Sequence, residues 1–202
     1  MYWHSASLPD HKKYIVSFIS PCPSIGKSTI SRALSRLLNA AWVNQDECGG
    51  KRLYLTKIKS SLSTKTLVIA DKTNAMTNNR NELRTFNADL VWIHMTVQSA
   101  TPQQDIKKLA IERLRGRGSH HKSLVASPQS EGVIESFITN FEAPTKEEEA
   151  ERMINVDINL TPLDMITVIL NKLYEYQVIQ EIPSIEHIES AISASMSYER
   201  QL

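Results

Sequence analysis

Three sets of residues in this chain have the types and spacing to move a phosphoryl group. The first is Gly26-Lys27-Ser28-Thr29. In a loop of this kind the backbone N–H groups from Ser24 through Ile25, Gly26, Lys27, Ser28 and Thr29 converge on an anion. Lys27 adds a point charge, and the Ser28 hydroxyl can ligate Mg²⁺. The second set is a pair of acids, Asp46 and Asp71. The third is residues 113–122, where Arg113, Arg115, Arg117, His120, His121 and Lys122 fall within ten positions broken by Gly116 and Gly118. Phosphoryl transfer from a nucleoside triphosphate needs a phosphate cradle, a Mg²⁺, cations over the moving group and a base on the acceptor. Each part has a candidate.

The elements that must position these groups follow from hydrophobic pattern. The apolar run Tyr14-Ile15-Val16-Ser17-Phe18-Ile19 predicts a strand before the loop, and residues 30–38 predict an amphipathic helix after it. A short strand, Ala41-Trp42-Val43-Asn44, brings Asp46 to its end. The buried-type strand Thr66-Leu67-Val68-Ile69-Ala70 delivers Asp71, where the metal would be held through water. Further strands are predicted at residues 90–95 and 153–158, and helices at 78–88, 102–114, 129–141 and 162–176. Alternation at this spacing predicts an α/β fold, a mostly parallel central sheet flanked by helices, with the active groups at the carboxyl ends of the strands and a basic lid at 113–122.

One position departs from the usual loop pattern. Pro21 stands where GxxxxGK[S/T] has its first glycine, and with Pro23 it removes two backbone donors, so the loop must use amides from Ser24 onward. Asp46 lies 19 positions after Lys27 and can take the proton of an attacking hydroxyl; it is preferred over its neighbour Glu47. Lys51 and Arg52 follow within one turn and offer cations to an anionic acceptor. Arg113 and Arg117, four apart, share a helix face and are the candidate lid arginines, with His121 as a substrate-phosphate contact. The competing reading of Asp46 and Asp71 is an ordinary turn acid, and that of the basic segment a solvated loop. Trp42 and Trp92 read as core, the methionines Met76, Met95, Met153 and Met165 as packing, and Lys146-Glu147-Glu148-Glu149 as solvated surface.

The whole composition sets limits. At 202 residues, with 41% hydrophobic residues, six glycines and a net charge of +1, the chain is an ordinary globular protein with no global pull toward nucleic acid or membrane. Anionic ligands must be held by a local patch. Cys22 and Cys48 make no metal spacing and suit a reducing compartment. Neither a signal peptide nor a membrane-length apolar stretch is present, which predicts a cytoplasmic or nuclear protein. The expected organisation is a short N-terminal segment (1–12), one domain (13–176), and a C-terminal helix or the start of a linker to a further domain (177–202).

Taken in order, residues 21–29, Asn44-Gln45-Asp46, Val68-Ile69-Ala70-Asp71 with Lys72-Thr73-Asn74, residues 113–123, Phe137-Ile138-Thr139-Asn140-Phe141 and Met153-Ile154-Asn155-Val156-Asp157 resemble the central polynucleotide 5′-kinase domain of fungal tRNA ligase. The likeness spans roughly residues 13–175, and that group shares the missing first glycine. It implies a P-loop kinase that passes the γ-phosphate of GTP, with ATP as the alternative, to the 5′-hydroxyl of RNA. Lys27 and Ser28 would be the loop residues, Asp46 the base, and Arg113 or Arg117 the lid arginine. It further implies tRNA exon halves as substrates, linked ligase and cyclic phosphodiesterase domains, and roles in tRNA splicing and unfolded-protein-response mRNA splicing. The residues alone leave two other readings open: a small-molecule or nucleoside kinase, and a nucleotide-dependent switch that transfers nothing.

Overall fold

The computed structural model describes residues 12–99, 101–116 and 126–200. Tyr14–Ile19 forms β1, Lys27–Leu37 α1, Ala41–Asn44 β2, Lys51–Thr64 α2, Leu67–Asp71 β3, Thr77–Leu83 α3 and Asp89–Thr96 β4. Pro102–Gly116 (α4), Pro128–Thr139 (α5) and the single turn Lys146–Glu149 (α6) lead to Arg152–Asp157 (β5), Pro162–Glu175 (α7) and Ile185–Arg200 (α8). The five strands lie in the order β2-β3-β1-β4-β5, and each neighbouring pair is parallel. The parallel α/β sheet expected from the alternation of elements is therefore the one that forms. Among the described residues no helix is long and apolar enough to cross a membrane.

The central strand β1 is buried along its whole length. Tyr14, Val16 and Phe18 join Leu67, Ile69, Val91 and Ile93 in a core on one face. Ile15 and Ile19 join Val68, Ala70, Trp92 and the α2 residues Tyr54, Ile58 and Leu62 on the other. A strand covered on both faces needs apolar residues at odd and even positions alike, and this is why its sequence runs without alternation. Its one polar residue, Ser17, is satisfied: the hydroxyl donates to Ala70 O at 2.7 Å and accepts from Asn74 Nδ2 at 2.9 Å. Helix α1 turns Ile30, Ala33 and Leu34 to the first core. Helix α8 packs on α1 and buries Ile188, Ala191, Ile192 and Ser195, the spacing of a single helix face. Each large apolar side chain withdrawn from water contributes about 1.5–3 kcal/mol.

Three expectations are corrected. The helix predicted over 78–88 stops at Leu83, because Thr85 N and Phe86 N bond to carbonyls three residues back and Asp89 N is captured by Lys13 O. Met76 does not pack but is 42% exposed at the N-terminus of α3. The acidic run 146–149 is not all solvated surface. Glu148 is 5% exposed, closes a capping box with Thr145, and receives two bonds from the fully buried Arg80: Nε to Oε1 at 2.8 Å and a terminal nitrogen to Oε2 at 2.9 Å.

Arg80 also reaches the carbonyl oxygens of Asn74 at 3.2 Å and Glu142 at 3.1 Å, so it fastens the loop after β3 to the segment before α6. Burial raises the Glu148 carboxyl, but the bonds from Arg80, Thr145 and Arg84 outweigh it and hold the group below its usual value of 4.5. Arg80→Leu leaves that carboxylate buried without its main partner and is expected to cost about 3–5 kcal/mol, read by urea denaturation. Because the folded value is depressed, the stabilisation from Glu148 is present above about pH 4.5 and fades as pH falls through the folded value. The stability gap between wild type and Glu148→Gln should close over that acid range.

Candidate active site

The phosphate loop is built by giving its side chains opposite destinations. Cys22 and Ile25 are fully buried in the core behind the loop, while Pro23, Ser24, Lys27 and Ser28 line a cleft of about 300 Å³ in front of it. Ser24 and Gly26 both take positive φ, +66° and +98°; at Gly26 a side chain would be strained. Gly26 caps α1 without any side-chain hydrogen bond, so the first helical amides are left to the cleft. The loop's carbonyls are engaged elsewhere. Lys27 Nζ donates to Cys22 O at 3.1 Å, Ser20 Oγ to the same oxygen at 2.7 Å, and Arg113 to Ile25 O at 2.7 Å. Burial pushes the Cys22 thiol up to about 11 despite the nearby Lys27 charge, so the thiol stays neutral.

Asp71 ends β3 at 3% exposure. Three donors converge on its Oδ2: Ser31 Oγ from α1 at 2.8 Å, Asn44 Nδ2 from β2 at 2.8 Å and Trp42 Nε1 at 3.3 Å. Trp42 is therefore not simply core. It is half-buried, with its indole N–H also on Ser31 Oγ at 3.0 Å and the Arg32 guanidinium 5.3 Å from the ring centroid. Sequence reasoning missed Ser31, Trp42 and Asn44 as supports. The signal was present: Ser31 lies one turn beyond Ser28, and Trp42 and Asn44, two apart, share a face of β2.

Asp46 is exposed in the turn after β2 and lines the same cleft as Lys27, Ser28, Asp71 and Lys51. Lys51 Nζ pairs with Glu82 at 2.5 Å. Lys72 lines the cleft too, and it too was missed. It lies 3.6 Å from Glu82 Oε2, 3.4 Å from Asn79 Oδ1 and 5.8 Å from the centre of the Tyr54 ring. Burial lowers the Lys72 ammonium, against the opposing pull of Glu82. The next residues of that loop are pinned, with Thr73 O accepting from Ser20 N at 3.0 Å and Asn74, at φ +43°, donating to Ser17 Oγ and Phe18 O.

Some predicted residues stand apart from the cleft. Arg52 is exposed and does not line it. Arg113 is half-buried behind the loop, donating to Ile25 O and to Ile158 O at 3.0 Å. Arg117, His121 and the rest of the basic segment past Gly116 lie outside the described residues. No group of three or more His, Cys, Asp or Glu that could hold a metal occurs among the described residues. Ser28 and Asp71 fit Mg²⁺ of the kind that takes its remaining oxygens from water and substrate phosphate. The Ser24 hydroxyl, buried and without a partner among the described residues, fits an anion in the loop.

A family model for the tRNA ligase kinase domain matches residues 19–163. No curated protein matches the sequence. Among solved structures, the fold is similar to that of a fungal RNA kinase, with a TM-score of 0.73 and 18% identity over 93% of this chain and 98% of that one. A gluconokinase from Sinorhizobium meliloti 1021 is similar at TM-score 0.56 and 16% identity, over 82% of this chain and 93% of its own. So is a sugar kinase from Janibacter sp. HTCC2649, at 0.55 and 16%, over 80% and 94%. These likenesses establish a P-loop kinase fold. With the family model spanning the phosphate loop, both acids and the last strand, the chain belongs to the tRNA ligase kinase domain family.

Proposed function

We propose that this chain transfers the γ-phosphate of GTP to the 5′-hydroxyl of a broken RNA strand, with Asp46 as the general base. A tRNA ligase kinase domain is a polynucleotide kinase, and the observation that carries the finer reading is the shared cleft. Lys27 and Ser28, the donor-side residues, line one cavity with Asp46 and Lys51. The Asp46 carboxylate takes the proton of the 5′-hydroxyl as that oxygen bonds to the γ-phosphorus. The bond from phosphorus to the β–γ bridging oxygen breaks, and GDP leaves with the electron pair. Lys27 and the amides from Ser24 to Thr29 receive the charge that builds on the phosphoryl oxygens.

Mg²⁺, held by Ser28 and through water by Asp71, would neutralise charge shared between the β- and γ-phosphates. Three donors already occupy Asp71 Oδ2, so Oδ1 is the oxygen available to it. Arg113 acts through the loop by holding Ile25 O, a positioning role, and Arg117 is left as the lid arginine. Lys51 steers the acceptor, with Arg52 and His121 as outer contacts. The setting that fits is end healing of tRNA exon halves and of unfolded-protein-response mRNA, in cytoplasm or nucleus, with ligase and cyclic phosphodiesterase domains on the same polypeptide.

Assays of γ-phosphate transfer to a 5′-hydroxyl oligoribonucleotide, with GTP and ATP in parallel, should give RNA product with GTP favoured. Product on gluconate or nucleosides but not on RNA would sink the reading. Asp46→Ala should lower kcat by about 10²- to 10⁴-fold and leave the Kd for GTP, read by calorimetry, unchanged; wild-type turnover removes Asp46 as the base. Asn44→Ala, which takes one donor from Asp71, should raise the Mg²⁺ concentration for half-maximal activity about tenfold, measured by metal titration at saturating GTP.

A further inference from the structure

We propose that Phe137 is the stacking platform for the base of the 5′-terminal nucleotide of the acceptor, a site that makes the enzyme select a nucleic-acid end without reading its sequence. The inference rests on the RNA kinase reading above. Among the described residues lining the cleft, Phe137 is the one aromatic side chain; the others are polar or charged, apart from Pro23 and Ala75. Phe137 is not among the buried residues of its helix. Helix α5 already buries Ile134 and Ile138 in the core, whereas Phe137 remains 36% exposed and Val133, one turn back, 38% exposed.

The surroundings suit a nucleotide rather than an apolar ligand. Lys51 and Lys72 line the same cleft as Lys27, Asp46 and Asp71, and both pair with the single carboxylate of Glu82. A phosphodiester can be accepted there while Asp46 meets the 5′-hydroxyl. An aromatic face beside such cations binds any base through its π-surface, and this contact is sequence-tolerant. The loop 72–75, which lines the cleft together with Phe137, is tied down, since Glu142 N donates to Ala75 O and Arg80 to Asn74 O. A planar group therefore has a fixed wall to lie against.

The test compares two 5′-hydroxyl oligoribonucleotides, one ordinary and one with an abasic ribose at the 5′ end, in steady-state transfer assays at saturating GTP. Phe137→Leu keeps an apolar side chain on α5. It should raise KM for the ordinary oligonucleotide about tenfold, the size expected for loss of one base stack, while KM for the abasic one stays put. Phe137→Trp should restore the wild-type KM. Equal changes on both oligonucleotides, or none on either, would overturn the platform and leave a packing residue. Failure of the wild-type chain to phosphorylate either oligonucleotide, with transfer to a small metabolite, would overturn the RNA reading itself and the platform with it.

Discussion

The site depends first on one buried carboxylate. Asp71 sits at 3% exposure, where an ion without partners would cost several kcal/mol. Three donors offset that cost, and they come from different elements: Ser31 from α1, and Trp42 and Asn44 from β2. Because all three must be present together, the carboxylate fixes the start of α1 against the carboxyl edges of β2 and β3. The phosphate loop ends at the start of that same helix. The group that would face Mg²⁺ is thus also what sets the helix amides in place, and any change that loosens one loosens the other.

A second tie holds the loop that follows Asp71. Arg80, fully buried, bonds to Glu148 with two nitrogens and to carbonyl oxygens on both neighbouring segments. It acts as a hub for the loop after β3, whose residues 72–75 line the cleft. The donor and acceptor halves of the cleft differ in character. The donor half is buried and hydrogen-bonded, while Asp46 and Lys51 on the acceptor half are exposed. This division suits a site whose nucleotide is a constant and whose acceptor is a chain end arriving from solvent.

Much of this was legible in the sequence, for physical reasons that can be named. β1 and β3 are continuous apolar runs because both faces are covered, and Asp71 is conspicuous because it ends such a run. The loop, Asp46 and Lys51 reach one cleft because a parallel sheet collects strand ends on one edge. What stayed hidden were side chains whose partners lie far along the chain. Glu148 sits in an acidic run that looks solvated, and only its 68-residue reach to Arg80 shows otherwise. Trp42 looked like core because indole is large and apolar, yet its N–H had to find an acceptor and found Asp71. Arg113 was legible as a cation near the phosphates, but its carbonyl partners at Ile25 and Ile158, 88 and 45 residues away, follow only from the fold.

The two prolines can now be read as part of the loop's electrostatics. A phosphate cradle must present amide hydrogens and keep carbonyl oxygens away from the anion. Pro21 and Pro23 supply no amides, so the cradle begins at Ser24, which takes a φ of +66°. The carbonyls around that point are neutralised by donors: Cys22 O takes Lys27 Nζ and Ser20 Oγ, and Ile25 O takes the Arg113 guanidinium. The shorter donor set is thereby matched by a loop whose acceptors are already engaged. Where the usual pattern has its first glycine this loop has stiff proline backbone, and the positive φ values fall later, at Ser24 and Gly26.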